Sequence, residues 1–147
     1  MEPIRRRLSD PYLVLILINA LFIVYALFLD SPQTIARGLW DILSARGVLI
    51  TDYVDLGGPG AALVNAALAS FLTVAIMRLF HIQPNGAIIM GIWLNTGFAL
   101  FGKNPLNMLP LIFGVWCYSK ARKEPFSNFA LMALLSATLA PLVSEIA

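Results

Sequence analysis

Cysteine, histidine and charge are all scarce in this 147-residue sequence. The single cysteine, Cys117, excludes a disulfide within the chain and a cysteine-cluster metal site. The single histidine, His81, supplies too few ligands for an ordinary zinc site, so we expect no metal and no cofactor. The HExxH, phosphate-loop, paired-carboxylate and Ser/His/Asp patterns of enzymes are missing as well. The sequence therefore predicts a protein that is not an enzyme.

Charged residues make up 12% of the chain, whereas roughly 25% is typical of a soluble domain. Apolar residues reach 59% and form runs long enough to span a membrane, so lipid is the predicted solvent and the bilayer the first partner. We expect one transmembrane domain over residues 1–147, and no nucleic-acid partner. Arg5, Arg6 and Arg7 precede the first run as in a signal peptide, but no cleavage site follows, which predicts a retained helix.

Proline stands at or near the start of six apolar or amphipathic segments. It is favoured there because its missing N–H would be unpaired anyway, and Asp, Ser, Asn and Gly are good caps for the same position. The starts are Asp10-Pro11, Ser31-Pro32, Gly58-Pro59, Gln83-Pro84-Asn85, Asn104-Pro105 and Glu124-Pro125. They predict an all-α membrane protein of about five transmembrane or re-entrant helices, at about 11–29, 59–80, 85–101, 105–119 and from 125 or 127 onward.

The segment 32–46 is predicted to be an amphipathic interfacial helix that Gly47 ends. Residues 48–56 are expected to be extended or irregular. Asp52 and Asp55 in that segment are too few for a calcium site and predict a solvated loop. In the last helix, Pro141 is expected to cause a kink or a break.

The broken-helix region 97–110 interrupts the apolar sequence with a glycine, a lysine, a proline and two asparagines. At membrane depth a broken helix persists only inside protein or beside a watery cavity, because every backbone polar group must be paired. The region is therefore either a hairpin tip in water or a site. The short helices on both sides favour a re-entrant hairpin with Lys103 buried near broken helix ends.

A buried Lys103 needs a partner, because an isolated buried ammonium tends to lose its proton. Glu145, beyond the break expected at Pro141, is the best acidic candidate. A stripe at i, i+4 spacing leads towards this lysine: Gly91, Asn95, Ala99 and Lys103. Asn104 is expected to cap the next helix, with Asn107 in its first turn.

The segment 59–80 carries a face of small and polar residues, which lets membrane helices pack closely. The face consists of Ala62, Asn65, Ala66, Ala69, Ser70 and Thr73. Asn65 has two open interpretations. It either bonds a neighbouring helix or acts as a ligand in a solute pathway.

The distribution of arginine and lysine predicts a cytoplasmic N-terminus and an outer C-terminus. With this orientation seven basic residues lie inside and three lie outside or at depth, which accounts for all 10. A second copy fused after the last residue would be inverted, so the chain is expected to be half of an inverted-repeat transporter-like fold.

Several motifs resemble an uncharacterised bacterial membrane-protein family, labelled domain of unknown function 1576. They are Ile50-Thr51-Asp52-Tyr53, residues 57–66, Phe101-Gly102-Lys103-Asn104 with Asn107, Glu124-Pro125-Phe126 and residues 140–145. The similarity covers residues 49–145 in matching order. It implies a location in the bacterial inner membrane and no particular activity. It also implies that members are longer, with a region like this one at their start, so the chain would be a natural half or a fragment.

The favoured functional interpretation is a transporter or channel subunit for a small polar or anionic solute. The candidate binding residues are Asn65, Asn95, Lys103, Asn104, Asn107 and Glu145. The positive dipole end of the helix after Asn104 would favour an anion. The alternative is a non-transporting structural or assembly subunit. In either case we expect a homo-oligomer or a second half-subunit, because about five short helices do not both enclose a polar path and shield it from lipid.

Overall fold

A computed structural model describes residues 10–45 and 51–142, and these residues are predominantly helical. Its α-helices are α1 (Pro11–Leu29), α2 (Pro32–Ser44), α3 (Tyr53–Gly57), α4 (Pro59–Leu79), α5 (Gly86–Phe98), α6 (Pro105–Ala121) and α7 (Ala130–Ala137). A 3₁₀ helix, Phe126–Phe129, precedes α7. The all-α prediction is confirmed for the described part of the chain.

The predicted helix starts are confirmed by their caps. The side chains of Asp10, Ser31 and Asn104 each accept a hydrogen bond from the first turn of the helix that follows, and proline holds the next position. Asn85 caps α5 in the same way. Gly58 has no side chain to cap α4, and Asp30 at the end of α1 accepts from the Gly60 N–H at 2.8 Å instead.

Two helices, α1 and α4, are long and apolar enough to cross a membrane. At ~1.5 Å per residue they match a hydrocarbon core of ~30 Å. The helices α5 and α6 have 13 and 17 residues and are shorter than such a span. The number of crossings and the inverted repeat therefore stay predictions.

The helix α4 is central and packs against α1, α2, α3 and α5. Its predicted small-residue face is buried, including Asn65, Ala66 and Thr73. The helices α5 and α6 are not packed side by side as a close hairpin. Both pack against α7 instead, so they diverge from the connection that joins them.

The amphipathic helix α2 packs against α3 and the beginning of α4. Its closest approach is at Gly38, where a Cβ atom would lie 1.9 Å from the Gly57 carbonyl oxygen. Its apolar side, with Ile35 and Ile42, is buried, whereas Trp40 is exposed. Because both contact positions, Gly38 and Gly57, are glycines, α2 can pack closely over the end of the bundle where α4 begins.

Some predicted boundaries are wrong. Residues 53–57 form the short helix α3, because the Asp52 side chain caps the Val54 and Asp55 N–H groups. The helix α5 ends at Phe98, and not at 101, because residues 99–101 tighten into i→i+3 bonds before Gly102 turns at φ +68°.

The break near Pro141 is confirmed, since α7 ends at Ala137 and helix resumes at 140–142. The predicted stop at Gly47 lies outside the described residues.

Basic side chains predominate at one end of the bundle. Arg78 forms an ion pair with Asp10 where α4 ends and α1 begins. Lys120, at the end of α6, is exposed at the same end, where Phe80 packs on Phe126. The opposite end, where α4 begins, carries acidic caps such as Asp30 and Asp52.

Candidate functional site

The connection between α5 and α6, residues 99–104, is buried beside α2 and α3 except at Leu100, which is partly buried, and Phe101, which is exposed. Gly102, Lys103 and Asn104 are all buried, and Lys103 is 0% exposed. The predicted burial of Lys103 is therefore confirmed. Polar backbone at such a place has to find partners within the protein.

The segment before α3 supplies one set of partners. Gly102 N–H donates to the Thr51 carbonyl at 3.0 Å, and Tyr53 N–H donates to the Leu100 carbonyl at 3.4 Å. The two segments thereby form an isolated antiparallel bridge between Asp52 and Phe101. The broken helix is thus paired with the chain that leads into α3.

Asn65, on the buried face of α4, supplies the second set. Its side-chain Nδ2 donates to the Ala99 carbonyl at 2.6 Å and to the Lys103 carbonyl at 2.8 Å. One amide therefore holds both ends of the connection. This is the interhelical role that one of the two interpretations of Asn65 assigned to it. Its Oδ1 has no hydrogen-bond partner and is buried.

Asn104 and Asn107 form a reciprocal cap at the start of α6. Asn104 Oδ1 accepts from the Leu106 and Asn107 N–H groups, both at 2.9 Å, and Asn107 Oδ1 accepts from the Asn104 N–H at 3.0 Å. Asn107 Nδ2 also donates to the Gly102 carbonyl at 2.9 Å. These N–H groups at the helix start, expected to be open to an anion, are therefore occupied by the protein.

Lys103 has no such partner. Among the described residues no acceptor lies within hydrogen-bond distance of its Nζ atom. The ion pairs in that part of the chain are Arg78–Asp10 and Arg122–Glu124, and neither involves Lys103. Lys103 lies outside both candidate spans, and burial lowers the pKa of its ammonium to about 7. Glu145, its expected partner, lies outside the described residues.

Tyr53 is the residue that the sequence interpretation missed. It is 0% exposed, and its hydroxyl lies near the Asn104 side chain, although it makes no well-formed hydrogen bond. Burial raises the pKa of Tyr53 to about 12, so the hydroxyl keeps its proton. Asn104 Nδ2 donates at 3.3 Å to the Ile42 carbonyl of α2. The sequence signal for Tyr53 was its position, an aromatic residue directly after Asp52, which caps α3.

The structure brings four of the predicted site residues together and separates a fifth from them. Lys103 and Asn104 belong to the connection, and the side chains of Asn65 and Asn107 bond its backbone. Asn95 lies further down α5, where its Nδ2 donates to the Gly91 and Leu134 carbonyls at 2.7 and 2.9 Å. It joins α5 to α7. Whether any of these residues binds a solute stays a prediction.

No group of three or more His, Cys, Asp or Glu side chains within residues 10–45 and 51–142 is placed to hold a metal ion. Asp52 and Asp55 are exposed as predicted, but they do not lie in a loop, because Asp52 caps α3 and Asp55 is in its first turn.

A family model described as "Protein of unknown function (DUF1576)" matches residues 31–147. The chain belongs to this family. The matched range contains the whole connection, its caps, α2 and the central helix α4, so the buried polar site lies within the family region. No curated protein and no solved structure matches the chain.

Proposed function

We propose that this DUF1576 chain is a subunit of a membrane transporter or channel for a small polar solute, and that the solute is an anion held by Lys103. The observation that carries the proposal is the Nζ atom of Lys103, which is fully buried and finds no acceptor among the described residues. Burying an unpaired charge is costly, so a fully buried lysine without a partner is a candidate for a functional residue.

The chemistry of the surroundings supports an anion rather than a cation. The unpaired buried groups beside the connection are the Lys103 ammonium, the Tyr53 hydroxyl and the Asn65 Oδ1 atom. The first two donate hydrogen bonds, and neither ion pair of the described residues brings a carboxylate to Lys103. A small anion would pair the ammonium, while a cation would meet like charge.

A second function, a structural or assembly subunit without transport, is favoured by a different observation. The side-chain Nδ2 groups of Asn65, Asn95, Asn104 and Asn107 all donate to backbone carbonyls. These amides hold broken and neighbouring helices together without any solute. Under this alternative, Lys103 would pair with protein or lipid alone.

The proposal includes the bacterial inner membrane as the location, with the N-terminus in the cytoplasm and the C-terminus outside. The position of Arg78 and Lys120 at the same end of the bundle supports this orientation. We also propose that the chain assembles, either with copies of itself or with an inverted second half. Cross-linking in membranes that yields only monomer would count against assembly.

Anion flux into proteoliposomes tests the function. Purified protein is reconstituted, and uptake of radiolabelled chloride, nitrate, phosphate and acetate is compared with empty vesicles. We expect uptake of at least one anion, its loss in Lys103→Met and its partial retention in Lys103→Arg. Lys123→Met, which removes an exposed lysine, is the matched control and should keep the flux. Wild-type uptake no faster than that of empty vesicles would favour the assembly subunit.

A further inference from the structure

A groove runs between α4 and α6 on the outside of the bundle. It has a volume of about 290 Å³, and only apolar side chains line it. Ile76 and Phe80 form the wall on α4, and Leu109, Phe113 and Trp116 form the wall on α6. An apolar groove on the outside of the proposed membrane bundle suits a hydrocarbon chain.

The groove has a direction, because its two ends differ. Leu109 lies at the end nearer the buried connection. At the other end Phe80 packs on Phe126 with ring centroids 4.4 Å apart, and Phe113 stacks on Trp116 at 5.4 Å. Aromatic residues are favoured at the level of lipid headgroups, which places this end near the membrane surface.

A cation stands at the aromatic end. The Nζ atom of Lys120 lies 5.6 Å from the centroid of the Trp116 ring. The side chain is exposed, and the described residues give it no ion pair, since Glu124 pairs with Arg122. A positive charge at the mouth of an apolar groove is complementary to a molecule with an apolar tail and a negative head.

We infer that this groove binds an acyl chain of an anionic membrane phospholipid, with its headgroup phosphate on Lys120. The chain lies along the α6 wall from Trp116 towards Leu109. Basic residues beside membrane helices on the cytoplasmic side attract anionic headgroups in this way. The inference rests on the proposed membrane location and on the proposed cytoplasmic position of Lys120, and it does not depend on transport or on Lys103.

Fluorescence quenching of Trp116 tests the site. The chain has 3 tryptophans, so Trp40→Phe and Trp93→Phe leave Trp116 as the reporter. The protein is reconstituted in phosphatidylcholine bilayers, and dibrominated phosphatidylglycerol or dibrominated phosphatidylcholine is titrated in. Lys120→Gln is compared with Lys123→Gln, which removes the same charge from a neighbouring exposed site. Far-UV circular dichroism checks that each variant is folded.

We expect phosphatidylglycerol to bind near Trp116 about fivefold better than phosphatidylcholine, the ratio for about 1 kcal/mol per lysine at a surface. The preference should fall to about one in Lys120→Gln and persist in Lys123→Gln. Equal quenching by both lipids in the parent protein overturns the inference. An equal loss of the phosphatidylglycerol preference in Lys120→Gln and Lys123→Gln also overturns it, because the preference would then come from the general positive charge of the surface. Absence of quenching by either lipid means that protein covers the groove, and it overturns the inference as well.

Discussion

Asn65 on α4 donates its side-chain amide to the carbonyl oxygen of Lys103 at 2.8 Å, across 38 positions of sequence. The same amide reaches the Ala99 carbonyl at 2.6 Å. The central helix thus fixes the backbone of the lysine, while the ammonium of that lysine stays without a partner among the described residues. The backbone of Lys103 is held in place and its charge is left available.

Replacing Asn65 by alanine should destabilise the protein by about 2 to 4 kcal/mol, because two buried carbonyls lose their donor. Unfolding in detergent micelles, followed by circular dichroism, measures the change. Asn128→Ala serves as the control, since the Asn128 side chain is exposed and donates to the Glu124 carboxylate in an exposed hydrogen bond of 3.3 Å. Its substitution should change stability by no more than about 0.5 kcal/mol. Similar losses in both variants would contradict this account of Asn65.

Gly38 is expected to tolerate no side chain. In Gly38→Ala the new methyl group would lie 1.9 Å from the Gly57 carbonyl oxygen, so α2 must move away from α3 and α4. Overpacking of this kind costs about 3 kcal/mol. Gly97→Ala is the matched control within a helix, because nothing lies within 4 Å of its added Cβ. It should be neutral or stabilising by up to about 1 kcal/mol. A stable Gly38→Ala protein would mean that α2 is held loosely.

Local chemistry made much of this fold predictable. Asp10-Pro11 and Asn104-Pro105 specify helix starts by themselves, and the structure has α1 at the predicted bounds, Pro11–Leu29. The burial of Lys103 followed from the need to pair broken backbone inside protein.

Long-range pairing was not predictable in the same way. The carbonyls that Asn65 binds are 34 and 38 positions away, and no local pattern selects them over other carbonyls. Tyr53, whose N–H donates to the Leu100 carbonyl, is also far from Leu100 in the sequence. The divergence of α5 from α6 depends on α7, which packs against both. These features arise from tertiary packing, which periodicity and capping do not encode.

The proposed orientation predicts opposite labelling of two exposed positions. In a Cys117→Ala background, Asp55→Cys should react with a membrane-impermeant maleimide on intact cells, because Asp55 lies at the end where α4 begins. Arg122→Cys, at the opposite end, should react only after the cells are opened. Labelling of both positions from the same side would refute the orientation. Labelling of both cysteine variants in opened cells is the control, since it shows that each position can react.

Lys103 predicts a specific dependence of stability on pH. In the folded protein burial lowers its pKa to about 7 from the ordinary value of 10.5. Between these values the unfolded chain binds more protons than the folded one, so the free energy of unfolding rises with pH across this window. The limit of the slope is about 1.4 kcal/mol per pH unit for one group. Below pH 7 both states are protonated and the contribution of Lys103 levels off.

Thermal unfolding in detergent micelles from pH 7 to 10 measures this dependence. Wild type should gain stability relative to Lys103→Met as pH rises, whereas Lys123→Met, at an exposed site, should follow wild type. A solute anion that pairs with the Lys103 ammonium raises its folded pKa, so a bound anion should flatten the difference. The same measurement at saturating concentrations of the transported anion therefore connects the pH effect to binding. Parallel curves for wild type and Lys103→Met without any anion would show that the ammonium is paired within the protein.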